Sequence, residues 1–100
     1  MQIFWTLPAE RDLDHIENYI GKDNPVAAVA VVLEIISTAE TLLPEHPHIG
    51  KPGRIHGTRE LVVPEYPSYI LIYRAKGGAL EILRVLHAAR KWPDESQSKS

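Results

Sequence analysis

Residues 54–92, RIHGTRELVVPEYPSYILIYRAKGGALEILRVLHAARKW, hold the pattern that decides the fold of this 100-residue chain. The two strongest strand-like runs flank Gly77-Gly78. A glycine pair adopts the positive φ angles of a type I′ turn without steric cost, and a two-residue turn fixes the register of the strands it joins. That register sets Lys76 opposite Ala79, Arg74 opposite Glu81, Ile72 opposite Leu83 and Ile70 opposite Val85. Tyr73 with Ile82, and Tyr69 with Leu86, then share the other face. The match of Arg74 with Glu81 supports the alignment, because a one-residue slip loses that pair and flips every apolar side chain.

Immediately upstream, Thr58 to Val63 alternates, with Arg59, Leu61 and Val63 on one face and Glu60 and Val62 on the other, until Pro64 ends the strand. Glu65 to Ser68 connects it to the hairpin. The segment LPEHPHIGKPGRIHG, residues 43–57, is turn-rich, and Ile55 is expected in a short edge strand. At the amino end, Gln2 to Thr6 is short, apolar and aromatic, the signature of a strand, and Pro8 suits the first turn of a helix. Ala9, Leu13, Ile16 and Ile20 recur at helical spacing, Glu10 and Asp12 complement the dipole at the start, and Gly21 follows the end.

Asn24 and Pro25 open a second helix as N-cap and N1, and Pro44 stops it. About eighteen residues fit, roughly 27 Å of helix. Its expected core stripe is Val29, Val32, Leu33, Ile36, Ala39 and Leu43. Val31 and Ile35 widen the apolar face beyond one stripe, which implies packing against the sheet and also against either the first helix or a partner chain.

Hydrophobic residues make up 44% and charged residues 24% of the chain, which suits one globular domain with a single core. The expected domain covers residues 1–93, with 94–100 (DESQSKS) as a flexible tail. Cysteine is absent, which agrees with a cytoplasmic location, and residues 1–20 lack the pattern of a signal peptide. The apolar run Val26 to Leu33 is far shorter than the roughly 20 residues of a membrane helix, so no membrane partner is expected. Charge is unevenly placed: residues 1–50 carry Arg11 and Lys22 against eight acids, whereas residues 51–91 carry eight Lys and Arg against Glu60, Glu65 and Glu81. The basic half either meets an anionic partner or pairs with the acidic helices.

The chain has no nucleophile motif, P-loop, dinucleotide fingerprint or spaced metal-ligand set, and no cofactor is expected. His46 and His48 would need a third converging ligand to hold a metal, and nothing in the sequence supplies one. Cleavage of RNA through its 2′-hydroxyl remains chemically open, since His and Arg can supply base, acid and countercharge. Arg59, Arg84, His87 and Arg90 are the candidates, against a reading of each as a structural or partner-binding charge. Trp92 and Tyr66 either stack on a base or cover a core edge.

Three segments, WTLPAERDLDHIENYI at 5–20, ETLLPEHPHIGKPGRIHGTRELVVPEYPSYILIYR at 40–74 and LEILRVLHAARKWP at 80–93, together resemble ParE toxins of the RelE/ParE superfamily, from bacterial toxin–antitoxin modules that maintain plasmids. The resemblance implies an α+β fold in the order β-α-α-β-β-β, with a small sheet packed on an α-helical hairpin. It implies either of two activities: ParE-like proteins inhibit DNA gyrase by binding it, and RelE- or YoeB-like proteins cut mRNA in the ribosome. The nuclease branch ends in a catalytic tyrosine where this chain reads Leu86, His87, Ala88, Ala89. Loss of that tyrosine favours gyrase inhibition over catalysis, with nucleic acid met only indirectly. On this reading Arg84, His87, Arg90 and Trp92 contribute to target binding. A ParD-like antitoxin is implied as hetero-oligomeric partner, with Val31 and Ile35 in its contact. A pairing module without toxicity is the further alternative.

Overall fold

The computed structural model describes residues 1–89. The chain runs β1 (Gln2–Trp5), α1 (Leu7–Gly21), α2 (Pro25–Leu42), β2 (Lys51–Pro52), β3 (Arg59–Val62), β4 (Tyr69–Lys76) and β5 (Ala79–His87). The strands form one sheet in the order β1-β5-β4-β3-β2. β1 lies parallel to β5, reached through the two helices, and the other pairs are antiparallel. The helical hairpin packs on one face of the sheet. Val31, Ile35, Ala39 and Leu43 there close over Leu71, Tyr73, Leu80, Ile82 and Val85. The edge strand is Lys51–Pro52, and Ile55, expected in it, lies in the bend that follows.

α2 starts on the expected Asn24-Pro25 signal, whereas α1 has Pro8 in its first turn as expected but takes its cap from Thr6, which was expected to end the first strand. Thr6 caps α1 by accepting the Ala9 N–H, and Asn24 caps α2 by accepting that of Ala27. Gly77 and Gly78 have φ of 59° and 78°, as a type I′ turn requires, so the hairpin starts in the expected register. Lys76 faces Ala79, Arg74 faces Glu81 and Tyr73 faces Ile82.

Beyond that point the register shifts. Ile72 pairs with Arg84, Leu71 with Val85, Ile70 with Leu86 and Tyr69 with His87, leaving Leu83 as the extra residue of a β-bulge. This corrects the expected pairs of Ile72 with Leu83, Ile70 with Val85 and Tyr69 with Leu86. The reason is burial. Without the bulge, Arg84 would stand opposite Leu71, which is fully buried under the helices; with it, Val85 takes that place.

A bulge leaves backbone groups that the regular ladder would have satisfied, and the start of α1 supplies their partners. The Thr6 hydroxyl lies 2.9 Å from the Ile82 carbonyl and 3.1 Å from that of Leu83. Asp12, nearly two turns further on, accepts the Val85 N–H at 2.9 Å. Its carboxylate also takes both arms of Arg84, Nε at 2.7 Å and Nη2 at 3.0 Å. This bidentate bond raises the Arg84 pKa against the opposing effect of burial. Replacing Asp12 by Asn should cost about 2–3 kcal/mol, because a charged acceptor of three hydrogen bonds is lost. A lower denaturant midpoint at unchanged m-value is the expected measurement.

Candidate functional site

The side chains singled out in the sequence divide into three places. Arg59 belongs to a framework at the β2–β3 edge. Its Nη1 donates to the Gly50 carbonyl at 2.7 Å and to that of His48 at 3.3 Å. Beside it the buried Tyr73 hydroxyl accepts the Gly50 N–H at 2.9 Å and donates to the Pro47 carbonyl at 3.0 Å. A Cβ at Gly50 would lie 2.8 Å from that hydroxyl and 2.9 Å from the Glu60 carbonyl, so only glycine fits between them. Gly53 is similarly crowded by Thr58. Burial pushes the Tyr73 pKa up, more than the Gly50 hydrogen bond and the Arg59 charge pull it down.

Glu60, on the opposite face of β3, is 3% exposed. It accepts the Arg54 N–H at 3.0 Å and pairs with Arg54 Nε at 3.1 Å. Burial alone would raise its pKa, but the Arg54 N–H and guanidinium, helped by Lys51, together hold it below the ordinary 4.5. The segment Gly50-Lys51-Pro52-Gly53-Arg54 is therefore a packing device whose two glycines permit close approach and whose arginine neutralises a buried acid.

The second place is the far end of β5. Arg84, expected on a target-binding or catalytic surface, is instead committed to Asp12, the internal pairing left open by the charge pattern. His87 is exposed, packs edge-on against Tyr69 with ring centroids 5.6 Å apart, and accepts the Ala89 N–H at Nδ1. It borders a cleft of about 420 Å³ lined by Asp12, His15, Ile16, Tyr19, Tyr69, Val85 and Leu86. The α1 members of that lining fall at i, i+3, i+4 and i+7. That spacing was visible in the sequence but had no apolar stripe to mark it.

Arg59 and His87 do not converge. Arg59 faces Tyr73 and His87 faces Tyr69, four residues apart along β4 and on its opposite sides, a separation of about 13 Å along the strand alone. Tyr66 packs against the core. His46, His48 and His56 belong to no metal-holding group of three His, Cys, Asp or Glu side chains among the described residues. Arg90, Trp92 and the expected boundary at residue 93 lie outside the described residues.

The third place is α2, where Ala39 and Leu43 of the expected stripe are buried and Val32 and Ile36 pack against the core, but the helix is rotated away from the rest of that stripe. Val31 and Ile35, assigned to a partner, are 6% and 0% exposed and belong to the core. Val29 and Leu33, assigned to the core, are 47% and 59% exposed, and Val26 is 81% exposed. The helix is apolar nearly all round, so hydropathy left its rotation undetermined. Small side chains decide it: Ala28 and Ala39 are buried, and Gly21 at the end of α1 leaves room against Ala28. The result is a solvent-facing apolar strip, Val26, Val29 and Leu33, at helical spacing.

These features define a small α+β protein whose strand cations are largely paired internally and whose helical hairpin leaves an apolar strip open to solvent. The chain belongs to the ParE toxin family of type II toxin–antitoxin systems, whose family model, described as the ParE toxin of the parDE system, matches residues 3–92. It is 51% identical over 92 residues to a candidate toxin of Sinorhizobium fredii, Y4kP, covering 92% of this chain and 93% of that one. It is 38% identical over 89 residues to toxin RelE2 of Caulobacter vibrioides, covering 89% and 97%. In structure it is similar to a chain of the chromosomal ParDE toxin–antitoxin system of P. aeruginosa, with a TM-score of 0.79, 27% identity, and coverage of 87% of this chain and 95% of that one. The chain is thus a type II toxin of the ParE/RelE superfamily with the α+β fold that its motifs imply.

Because the folded pKa of Glu60 lies below its unfolded value, its contribution to stability is present above pH 4.5 and is lost as pH falls through the folded value. Glu60→Gln should therefore be less stable than the wild type at neutral pH, with the difference shrinking toward pH 3, as read from denaturant midpoints across that range.

Proposed function

We propose that this toxin acts in the cytoplasm by binding DNA gyrase and blocking its supercoiling activity, without catalysing a reaction of its own, and that a ParD-like antitoxin neutralises it. One observation carries the reading: the cationic side chains that RNA cleavage would require are not assembled around one phosphate among the described residues. Arg84 is held by Asp12, Arg59 by loop carbonyls, and His87 packs on Tyr69 at the other end of β4. General acid–base chemistry needs its groups within hydrogen-bonding reach of one substrate. Similarity to the ParDE system supports the choice of antitoxin class.

The antitoxin contact falls on the strip Val26, Val29 and Leu33. These residues repeat at i, i+3 and i+7 on one side of α2, the pattern by which an apolar segment of a partner docks along a helix. His87, with Arg90 and Trp92 beyond it, forms the gyrase-directed end of the chain.

Purified toxin incubated with gyrase, ATP and plasmid should abolish supercoiling, and added antitoxin should restore it. Full supercoiling at high toxin excess, combined with cleaved mRNA in a translation extract, would replace this reading with the ribonuclease one. Leu33→Asp should weaken antitoxin binding by more than about 1 kcal/mol by placing a charge in an apolar contact, while leaving the melting temperature near that of the wild type. Ile35→Asp should instead abolish folding. Calorimetric titration with antitoxin and thermal melts of the two variants separate these outcomes.

A further inference from the structure

We propose that the antitoxin segment covering the α2 strip is basic as well as apolar, and sets lysine or arginine side chains against a row of carboxylates on α1. The proposal rests on the antitoxin reading of that strip and adds the chemistry of the partner. The helical hairpin, residues 7–42, carries seven acids against Arg11 and Lys22. Of the four acids on α1, Asp12 is used inside the fold, where it holds Arg84. Glu10, Asp14 and Glu17 are exposed and form no ion pair among the described residues. The strand arginines do not answer them, because Arg54 and Arg74 pair with Glu60 and Glu81.

Glu10, Asp14 and Glu17 fall at i, i+4 and i+7, so they share one side of α1. Glu17 shows where that side points. With Gly21 and Lys22 it lines a hollow of about 400 Å³ whose other wall includes Ala28 and Val29 of α2. The helices meet closely there, since a Cβ at Gly21 would lie 3.7 Å from that of Ala28. The turn between them is three residues long, so the helices run antiparallel. Going back along α1 from Glu17 to Asp14 and Glu10 therefore follows α2 forward from Val29 to Leu33. The hairpin presents two neighbouring rows to solvent, one of carboxylates and one of Val26, Val29 and Leu33. A purely apolar segment laid on the second row would partly desolvate the first, which costs free energy unless cations meet it. Lys22 is the cation of the hollow's lining, and it forms no ion pair with Glu17. A second copy of this chain would bring two acidic rows together, so the charges that favour a basic partner oppose self-association.

The test titrates the full chain, followed by amide chemical shifts, with two synthetic amphipathic helices. Both carry leucine at i, i+3 and i+7, and they differ in having lysine or glutamate beside the leucines. The lysine helix should bind about tenfold more tightly, the sum of three exposed ion pairs, with shifts on α1 and α2, and added salt should narrow the gap. D14N/E17Q, which keeps Glu10 at the start of α1, should reduce the preference severalfold, whereas Leu33→Asp should weaken both helices. Equal affinities, a preference that D14N/E17Q leaves intact, or binding of neither helix would overturn the proposal. Self-association of the free chain that strengthens with salt would also overturn it, and would assign the strip to a second copy. The antitoxin reading is tested separately. An antitoxin complex weakened by Leu33→Asp but not by D14N/E17Q keeps the strip as the contact and removes only the charge pairing. A complex that Leu33→Asp leaves intact removes the reading itself.

Discussion

The carboxylate of Asp12 is the point on which the two layers of this protein meet. It sits on α1, yet its three bonds run to β5, two to the Arg84 guanidinium and one to the Val85 N–H. The Val85 N–H lies just past the bulge and beyond the end of β1, where no neighbouring strand can satisfy it. The bulge is itself required, because the regular register would place a guanidinium under the helices. One irregular residue, Leu83, thus changes which side chain enters the core, and one carboxylate satisfies what that irregularity exposes. The helical hairpin cannot shift along the sheet without breaking this contact.

A second polar framework holds the other side of the sheet. The Tyr73 hydroxyl, the Arg59 guanidinium and the Glu60–Arg54 pair together satisfy the backbone of a loop with little regular structure of its own. Groups of this kind are costly to bury unless every one finds a partner. Here each does, since no buried side-chain nitrogen or oxygen among the described residues lacks one. The glycines of the loop serve the same end by letting backbone approach the tyrosine ring and the Thr58 side chain.

Together these frameworks change the meaning of the basic half of the chain. Arg54, Arg74 and Arg84 each face a carboxylate, so much of the positive charge is internal structure. Arg59 faces carbonyl oxygens and keeps its charge uncompensated by any carboxylate ion pair among the described residues. The surface left for partners is accordingly divided between an apolar strip on α2 and a histidine and tyrosine cleft where α1 meets β5. On the function proposed above, a toxin silenced by one protein and directed at another needs separable surfaces, and this fold offers them on different elements.

Much of this protein was legible in its residues because the signals were local. The Asn24 cap, Pro8 and Pro25 in the first turns of the helices, the Gly77-Gly78 turn and the Arg74–Glu81 match each act within a few residues of chain, and the elements they imply all form. The family motifs extended the same reading to the topology. Tertiary structure alone decided the bulge at Leu83, the rotation of α2 and the partner of Arg84. In each case local hydropathy allowed two answers. Ile82 to Leu86 can alternate in either phase, and a helix carrying Val, Ile and Leu on every side can bury any of its faces. The choice fell to packing: Ala28 and Ala39 permit a close approach that Val29 and Leu33 do not, and Asp12, seventy-two residues before Arg84, is brought beside it only when the sheet closes on α1.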